Sequence, residues 1–352
     1  MALILILGAY SLIIGEVALR LVAPVPLLPR FVTGAPYGVR MNIPNAQYWH
    51  TTEEMRVQVR INAQGMRADR DFPYAKPADT CRILLFGDSV MMGYEVNQKD
   101  TFAHLLETRL RTAGFKNEVL NLAVSGFGTA EMLIALESEG LKYQPDVVIF
   151  QWHSTDPKNN VESRLFEVKD HALEATGRTH LPGIAVRDWL SQFSVYNWAV
   201  QHSQLYTAIR ERAASWYKKV IRTHRKFQVE GNARQNQKTS KHPKKSAKEL
   251  DLLLLQRSKQ IAEIAGAQFL LFDTPGRISR TRFRSAFDLL PPDFLGKMTT
   301  LSPLADFEAA AGDDILLVRE KGHGHYTELG IGLLTKAATG KLISSGWLDS
   351  CR

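Results

Sequence analysis

The chain is poor in cysteine: 352 residues contain two, Cys81 and Cys351, at opposite ends of the sequence. Neither stands in a metal-ligand spacing, and two cysteines make no disulfide framework, so both of those classes are excluded. A single bridge between them stays open if the chain faces an oxidising compartment. There is no internal repeat. Aromatic side chains do not interleave with the cations of the most basic segment, which excludes a base-stacking nucleic-acid surface.

Positive charge outside one segment is also lacking. Lys218 to Lys248 holds eleven Lys or Arg and one acid, Glu230, a net of +10 against +8 for the whole chain, which leaves −2 for the rest. Basicity therefore belongs to a loop and not to the fold. That segment has few apolar residues after Phe227 and reads as a solvated loop, with contact to anionic lipid or an acidic polymer as its sharper reading.

The N-terminus is what the chain has in abundance. Ala2 to Gly15 carries no charge, and Val17, Leu19, Leu21 and Val22 continue the apolar run past Glu16 and Arg20. A bilayer span needs about 20 mostly apolar residues, which this segment reaches only by tolerating that i, i+4 pair. No small-residue cleavage site is evident, and Pro24, Pro26 and Pro29 end the helix. The reading is an uncleaved anchor over 1–25, against a removed signal peptide or a buried core helix. No basic cluster precedes the run to set its orientation. Residues 26–80 follow as an extended connector packing on the domain, within which Val59–Arg67 alternates and then turns, as a short strand entering a glycine turn.

From Cys81 onward, strands and helices alternate. Apolar runs at 82–86, 118–122, 147–151, 269–272 and 315–318 predict five strands, separated by helices at 101–113, 129–141 and 250–265 and closed by one after Thr327. This pattern implies a parallel sheet covered on both faces. Residues 157–248 interrupt it as a mostly helical insertion. Its aromatics, among them Trp189, Phe193, Trp198 and Trp216, predict a packed subdomain or cap.

Chemistry concentrates where the first three strands end: Gly87-Asp88-Ser89, Ser125-Gly126-Phe127-Gly128 and Trp152 to Asp156. Carboxyl ends of parallel strands converge on one edge, where such sheets place their ligands. Gly-Asp-Ser alone could be a tight turn before a helix. Ester chemistry needs a nucleophile, a base and oxyanion donors. Ser89 supplies the first, and its own N–H and that of Gly126 are candidate donors. His325, just before the closing helix, is the best-placed base of ten histidines. His323 and His325 could instead pair on a metal, but no cysteine or acidic cluster completes a site.

These blocks resemble the SGNH (GDSL-type) hydrolases, in particular a membrane-anchored bacterial branch found with polysaccharide modification. The resemblance lies in Ile83–Gly93, Val119–Gly128, Pro145–Asp156 and His325–Gly330, together with the apolar N-terminus and Asn62–Arg67. It implies a flavodoxin-like three-layer α/β/α fold over 81–352 and a serine esterase, with an O-acyltransferase as alternative. Ser89 is then nucleophile, His325 general base, and Ser89 N–H with Gly126 the oxyanion hole. Neither cofactor nor metal is expected. The implied substrate is an acylated carbohydrate or similar ester, and the implied location the bacterial inner membrane, single-pass, with the domain in the periplasm or outside.

Two departures stand out. Thr155 occupies the place where the family usually has an oxyanion-hole asparagine, and losing one such donor costs about 10²–10³ in rate. The acid normally two or three residues before the histidine is also missing, since Gly322 and His323 stand there. Glu320, Asp313, Asp314 or a backbone carbonyl could orient His325. A binding or assembly protein weakened or inactivated as an enzyme is the competing class.

Overall fold

The computed structural model describes residues 1–25, 27, 31–213, 215–216, 243–312, 315–321 and 324–352. Five parallel strands make the central sheet: β1 Cys81–Phe86, β2 Asn117–Asn121, β3 Val147–Trp152, β4 Gln268–Asp273 and β5 Thr300–Leu301. Their order across the sheet is 2-1-3-4-5, the flavodoxin-like arrangement. β1 and β3 are buried along their whole length, as strands covered on both faces should be.

The helices used below are α1 (Ala2–Val22), α2 (Ser89–Met92), α3 (Phe102–Thr112), α4 (Thr129–Ser138), α5 (Asp156–Ser163), α6 (Ile184–Leu190), α7 (Ser194–His202), α8 (Pro243–Ile264), α9 (Leu304–Gly312) and α10 (Glu328–Ser344). Alternation along the strands builds two cores. Ile83, Leu85, Ile149 and Phe272 face α3, α9 and α10 through Leu106, Phe307 and Leu334. Leu84, Phe86, Val148 and Phe150 face α4 and α8 through Leu133, Leu136 and Leu254. The result is the expected three-layer α/β/α sandwich.

Two expectations are corrected. The fifth strand is Thr300–Leu301, not the run at 315–318. Leu317 and Val318 are buried, but their backbone serves the following loop: Thr327 N–H donates to Leu317 O, and Val318 bridges Tyr326. The aromatics of the insertion are not packed inside, because Trp189, Phe193, Trp198 and Trp216 are all exposed. The basic loop lies mostly outside the described residues, which omit 217–242.

The segment before β1 is more ordered than a connector. Antiparallel pairs join Val32–Gly34 to Arg40–Asn42 and Gln47–Thr51 to Arg56–Arg60, and Phe31, Val39, Val59, Met66 and Phe72 are buried against the sandwich. A Cys81–Cys351 disulfide ties the start of β1 to the C-terminal turn, and Lys116 N–H donates to Cys351 O at 2.7 Å. Closing a loop with a sequence separation of 270 limits the unfolded chain by about 5.6 kcal/mol in the loop-entropy account.

Candidate active site

β1 delivers the chain to the carboxyl edge of the sheet, where Gly87 makes a turn only glycine fits. A β-carbon there would lie 2.3 Å from Gln151 Oε1 and 2.7 Å from the Met91 side chain. Gln151, at the end of β3, accepts from Asp88 N–H at 2.8 Å and donates to Thr274 Oγ1 at 3.1 Å, so adjacent strands fix the loop. The Asp88 carboxylate caps α2 by accepting from Val90 N–H at 2.8 Å. Ser89 is then the first residue of this one-turn helix, which Gly93 ends in the left-handed region at φ 75°.

The other end of α2 is held by a buried arginine. Arg67 donates to the carbonyls of Met92, Gly93 and Val96, where a cation complements the helix dipole. Complete burial pushes its guanidinium down to about 9, despite the nearby Asp69 charge. The Asn62–Arg67 motif thus supports the serine helix. Asn62 Oδ1 accepts from Gln64 and Met66 N–H, which shapes the turn that delivers Arg67.

His325 arrives from the far end of the chain. Arg319 N–H donates to its carbonyl, Tyr326 hydroxyl reaches Pro275 O at 2.6 Å, and Thr327 caps α10. Gly330 permits this close seating, since a β-carbon there would lie 2.4 Å from Leu317 O. His325 Nε2 stands 2.7 Å from Ser89 Oγ. That is hydrogen-bond distance between a hydroxyl and an imidazole that can take its proton.

Behind the imidazole is a carboxylate that sequence reasoning missed. Glu95 Oε1 lies 3.4 Å from His325 Nδ1 and 3.9 Å from His50 Nε2, and its side chain is fully buried. Tyr94 packs between the two rings, with centroids 5.3 Å from His325 and 4.4 Å from His50. Arg319 Nη2 donates to Glu95 O at 3.2 Å, which anchors the residue from the His325 loop. Of the acids expected from sequence, Glu320 is exposed and its N–H donates to Glu54, while Asp313 and Asp314 lie outside the described residues, as does His323. Among the described residues no group of three His, Cys, Asp or Glu forms a metal site.

The Gly126 loop is tied to the serine loop by Val124 N–H donating to Gly87 O at 3.1 Å, and by Asn121 Nδ2 donating to Met91 O. Gly126 adopts φ 82° and its carbonyl accepts from Arg40 at 2.6 Å. Arg40 also pairs with buried Glu131 at 3.0 Å, which His180 contacts at 3.1 Å. Burial opposes ionisation of Glu131, but His180, Arg40 and the Gly128 N–H outweigh it and hold the carboxyl below its ordinary range.

Thr155 sits exposed at the N-cap of α5, and its hydroxyl lies 2.8 Å from His153 Nδ1. His153 Nδ1 is also 3.3 Å from Asp88 Oδ2. The third strand's loop therefore reaches the serine turn through His153 and Asp88, a link that was not foreseen. Asp156, next in sequence, is fully buried, and burial pushes its carboxyl well above the ordinary range although it accepts from His153 N–H.

No family model matches the sequence, and no curated protein matches it. Solved structures are similar at low identity. TesA is 12% identical, covering 74% of this chain and 97% of its own, with a TM-score of 0.40. An acetyl xylan esterase, AlAXEase, is 11% identical, covering 74% and 99%, with a TM-score of 0.40. The esterase EstA from Pseudoalteromonas sp. is 11% identical, covering 75% and 97%, with a TM-score of 0.38. At such scores nothing about the site rests on these likenesses. What stands is a flavodoxin-like α/β/α domain, the fold that the SGNH resemblance implies, with Ser89 Oγ 2.7 Å from His325 Nε2 and the Glu95 carboxylate 3.4 Å from His325 Nδ1.

Proposed function

We propose that this chain is a serine-dependent carboxylic-ester hydrolase. The observation that carries the reading is the 2.7 Å contact between Ser89 Oγ and His325 Nε2. In the proposed reaction Oγ attacks the ester carbonyl carbon while His325 Nε2 takes the hydroxyl proton. The N–H groups of Ser89 and Gly126 receive the oxyanion. His325 then gives its proton to the departing alcohol oxygen, leaving an acyl-Ser89. Water, deprotonated by His325, attacks that ester, and His325 returns the proton to Ser89 Oγ as the carbon–Oγ bond breaks and the acid leaves. Glu95 acts as a positioning residue, holding the imidazole by Nδ1 and balancing the imidazolium charge.

The substrate class proposed is an O-acyl, in particular O-acetyl, ester on a carbohydrate, on the strength of the family resemblance. If a sugar hydroxyl replaces water in the second half, the same site is an O-acyltransferase. Thr155, facing His153, substitutes poorly for an amide donor and predicts a slower enzyme. The proposed location is a bacterial inner membrane with the domain on the oxidising side. The Cys81–Cys351 bridge supports that side, because disulfides persist there. Docking of α1 onto the domain through Glu16 supports an anchor that is retained.

The test is labelling by a serine-directed fluorophosphonate in wild type, Ser89→Ala and His325→Ala. Ser89-dependent labelling that His325→Ala abolishes is the expected result; absence of Ser89-dependent label ends the enzyme reading in favour of a binding or assembly protein. Acetyl release measured with and without an added oligosaccharide then separates hydrolysis from transfer.

A further inference from the structure

The uncharged stretch of α1, Ala2 to Gly15, is 14 residues, about 21 Å of helix at about 1.5 Å per residue. The hydrocarbon core of a bilayer is about 30 Å thick, so a spanning α1 has to run on towards Val22 and carry Glu16 within it. Glu16 is then up to about 9 Å inside the boundary. An isolated carboxylate at that depth is costly.

Glu16 is well supplied with partners. Its carboxylate accepts from Arg20 Nε at 2.7 Å, Ser203 Oγ at 2.8 Å, Leu205 N–H at 2.9 Å and Gln204 N–H at 3.1 Å. It thereby caps the helix 204–213 from outside. Arg20 Nη2 donates to His202 O at 2.5 Å, and Val25 N–H to Gln204 Oε1 at 3.0 Å. The corner between α7 and the helix 204–213 consequently shares the depth of Glu16. Nothing bonded at 3 Å to a group in the membrane boundary can itself stand clear of the membrane.

The surface around that corner suits such a position. Trp189, Phe193, Val195, Trp198 and Trp216 are each more than half exposed, with values of 59%, 51%, 78%, 60% and 67%. On α7, Val195 and Trp198 lie at i, i+3 on the outer side. The opposite side, with Tyr196, Asn197, Val200 and Gln201, lines a cleft of about 310 Å³ against Ile43 and Tyr48. The half-buried positions of α7 are Tyr196, Ala199 and Val200, so the helix carries apolar side chains on its outer side as well as towards the protein. A water-soluble surface rarely gathers so many aromatics, whereas the headgroup region of a bilayer collects Trp at this level.

We propose that α6, α7 and the helix 204–213 form a platform lying in the lipid interface, in the leaflet through which α1 leaves the membrane. The occupant of the aromatic face is lipid, because the face is continuous with the membrane helix through Glu16 and Arg20. The sequence between Trp216 and α8 adds charge complementarity: its eight Lys and Arg match anionic headgroups. This inference rests on α1 spanning the bilayer. It turns the domain's attachment from a single flexible tether into a two-point seat that sets its orientation over the membrane.

The experiment uses full-length protein in phosphatidylcholine/phosphatidylglycerol vesicles, with nitroxide lipids labelled at the headgroup, acyl carbon 5 or acyl carbon 12. Tryptophan emission of the wild type should fall about twofold with the shallow nitroxides, and the fall should vanish in Trp189→Phe/Trp198→Phe/Trp216→Phe. A Leu7→Trp substitution in that triple variant reports on α1 and should be quenched most by the carbon-12 label. Deep quenching at position 7 without shallow quenching of the three tryptophans overturns the platform and leaves the span intact. No deep quenching at position 7 removes the spanning reading and the platform with it. Tryptophans shielded from aqueous iodide yet untouched by nitroxide lipids would place a second protein copy on the face and also overturn the proposal. Unchanged thermal melting and fluorophosphonate labelling of the triple variant exclude misfolding.

Discussion

Replacing Glu95 by Gln tests whether the buried carboxylate organises the site. The substitution keeps shape and volume and removes one charge 3.4 Å from His325 Nδ1. At an effective dielectric constant of about 20, a unit charge pair at that separation interacts by about 5 kcal/mol. Burial of Glu95 leaves little solvent to screen it. The amide oxygen of Gln can still accept from Nδ1–H, which returns about 1 kcal/mol, and local dipoles reorganise to recover more. A net loss of about 2–4 kcal/mol in the step that forms imidazolium corresponds to a fall in kcat of about 30- to 1000-fold. KM for a small ester such as p-nitrophenyl acetate should change little, because Glu95 sits behind the base and not against the acyl group. The rate of fluorophosphonate labelling should fall in parallel with kcat, and Glu95→Asp should recover part of it. A Glu95→Gln enzyme within about threefold of wild type in both kcat and labelling rate would refute the assignment and leave Ser89 and His325 as a dyad.

Two further outcomes follow from the packing around the sheet. Gly87→Ala forces a methyl against Gln151 Oε1 and Met91; it should cost about 1–3 kcal/mol of stability and most of the activity, read by thermal melting and ester hydrolysis. Wild-type melting with full activity would show that the turn is not so constrained. Asp251, buried between α5 and α8 beside Asn160, has its carboxyl pushed up to about 6 by burial, although the Asn160 hydrogen bond opposes this. Its folded value lies above the unfolded value, so the stability it lends is complete below about pH 4 and is lost as pH rises through about 6. Asp251→Asn should therefore melt higher than wild type at pH 8, by up to about 3 kcal/mol in stability, with the difference gone near pH 4. An equal melting difference at both values would remove burial of the charge as its cause.

Much of the architecture was open to reading along the chain. Buried parallel strands are continuous apolar runs, and helices between them carry their own periodicity, so Arg82–Phe86, Glu118–Leu122 and Val147–Gln151 declared a covered sheet. The exception is informative. Ile315–Val318 has strand composition, yet its backbone bonds go to Tyr326 and Thr327 in the loop that presents His325, and the sheet edge is taken by Thr300–Leu301. Composition reports burial and does not name the pairing partner.

The same division runs through the site. Ser89, Gly126, Thr155 and His325 stand out as candidates in the sequence because each lies at the end of a strand or the start of a helix, where turn chemistry is local. Glu95 was missed although only six positions from Ser89. A short helix closed by left-handed Gly93 turns the chain back, and that return points Glu95 at a histidine 230 residues further on. Gly93 after Gly-Asp-Ser was the available signal. Arg67 and the exposed tryptophans were likewise legible as residue types only. Whether an arginine ends on helix carbonyls, or an aromatic helix faces inward or outward, depends on surfaces brought together from distant segments. Sequence alone determined the layers and singled out Ser89 and His325 as candidates; tertiary structure decided the placing of Glu95 behind His325, the support of α2 and the outward aromatic face, because those depend on contacts between elements rather than on any element's own pattern.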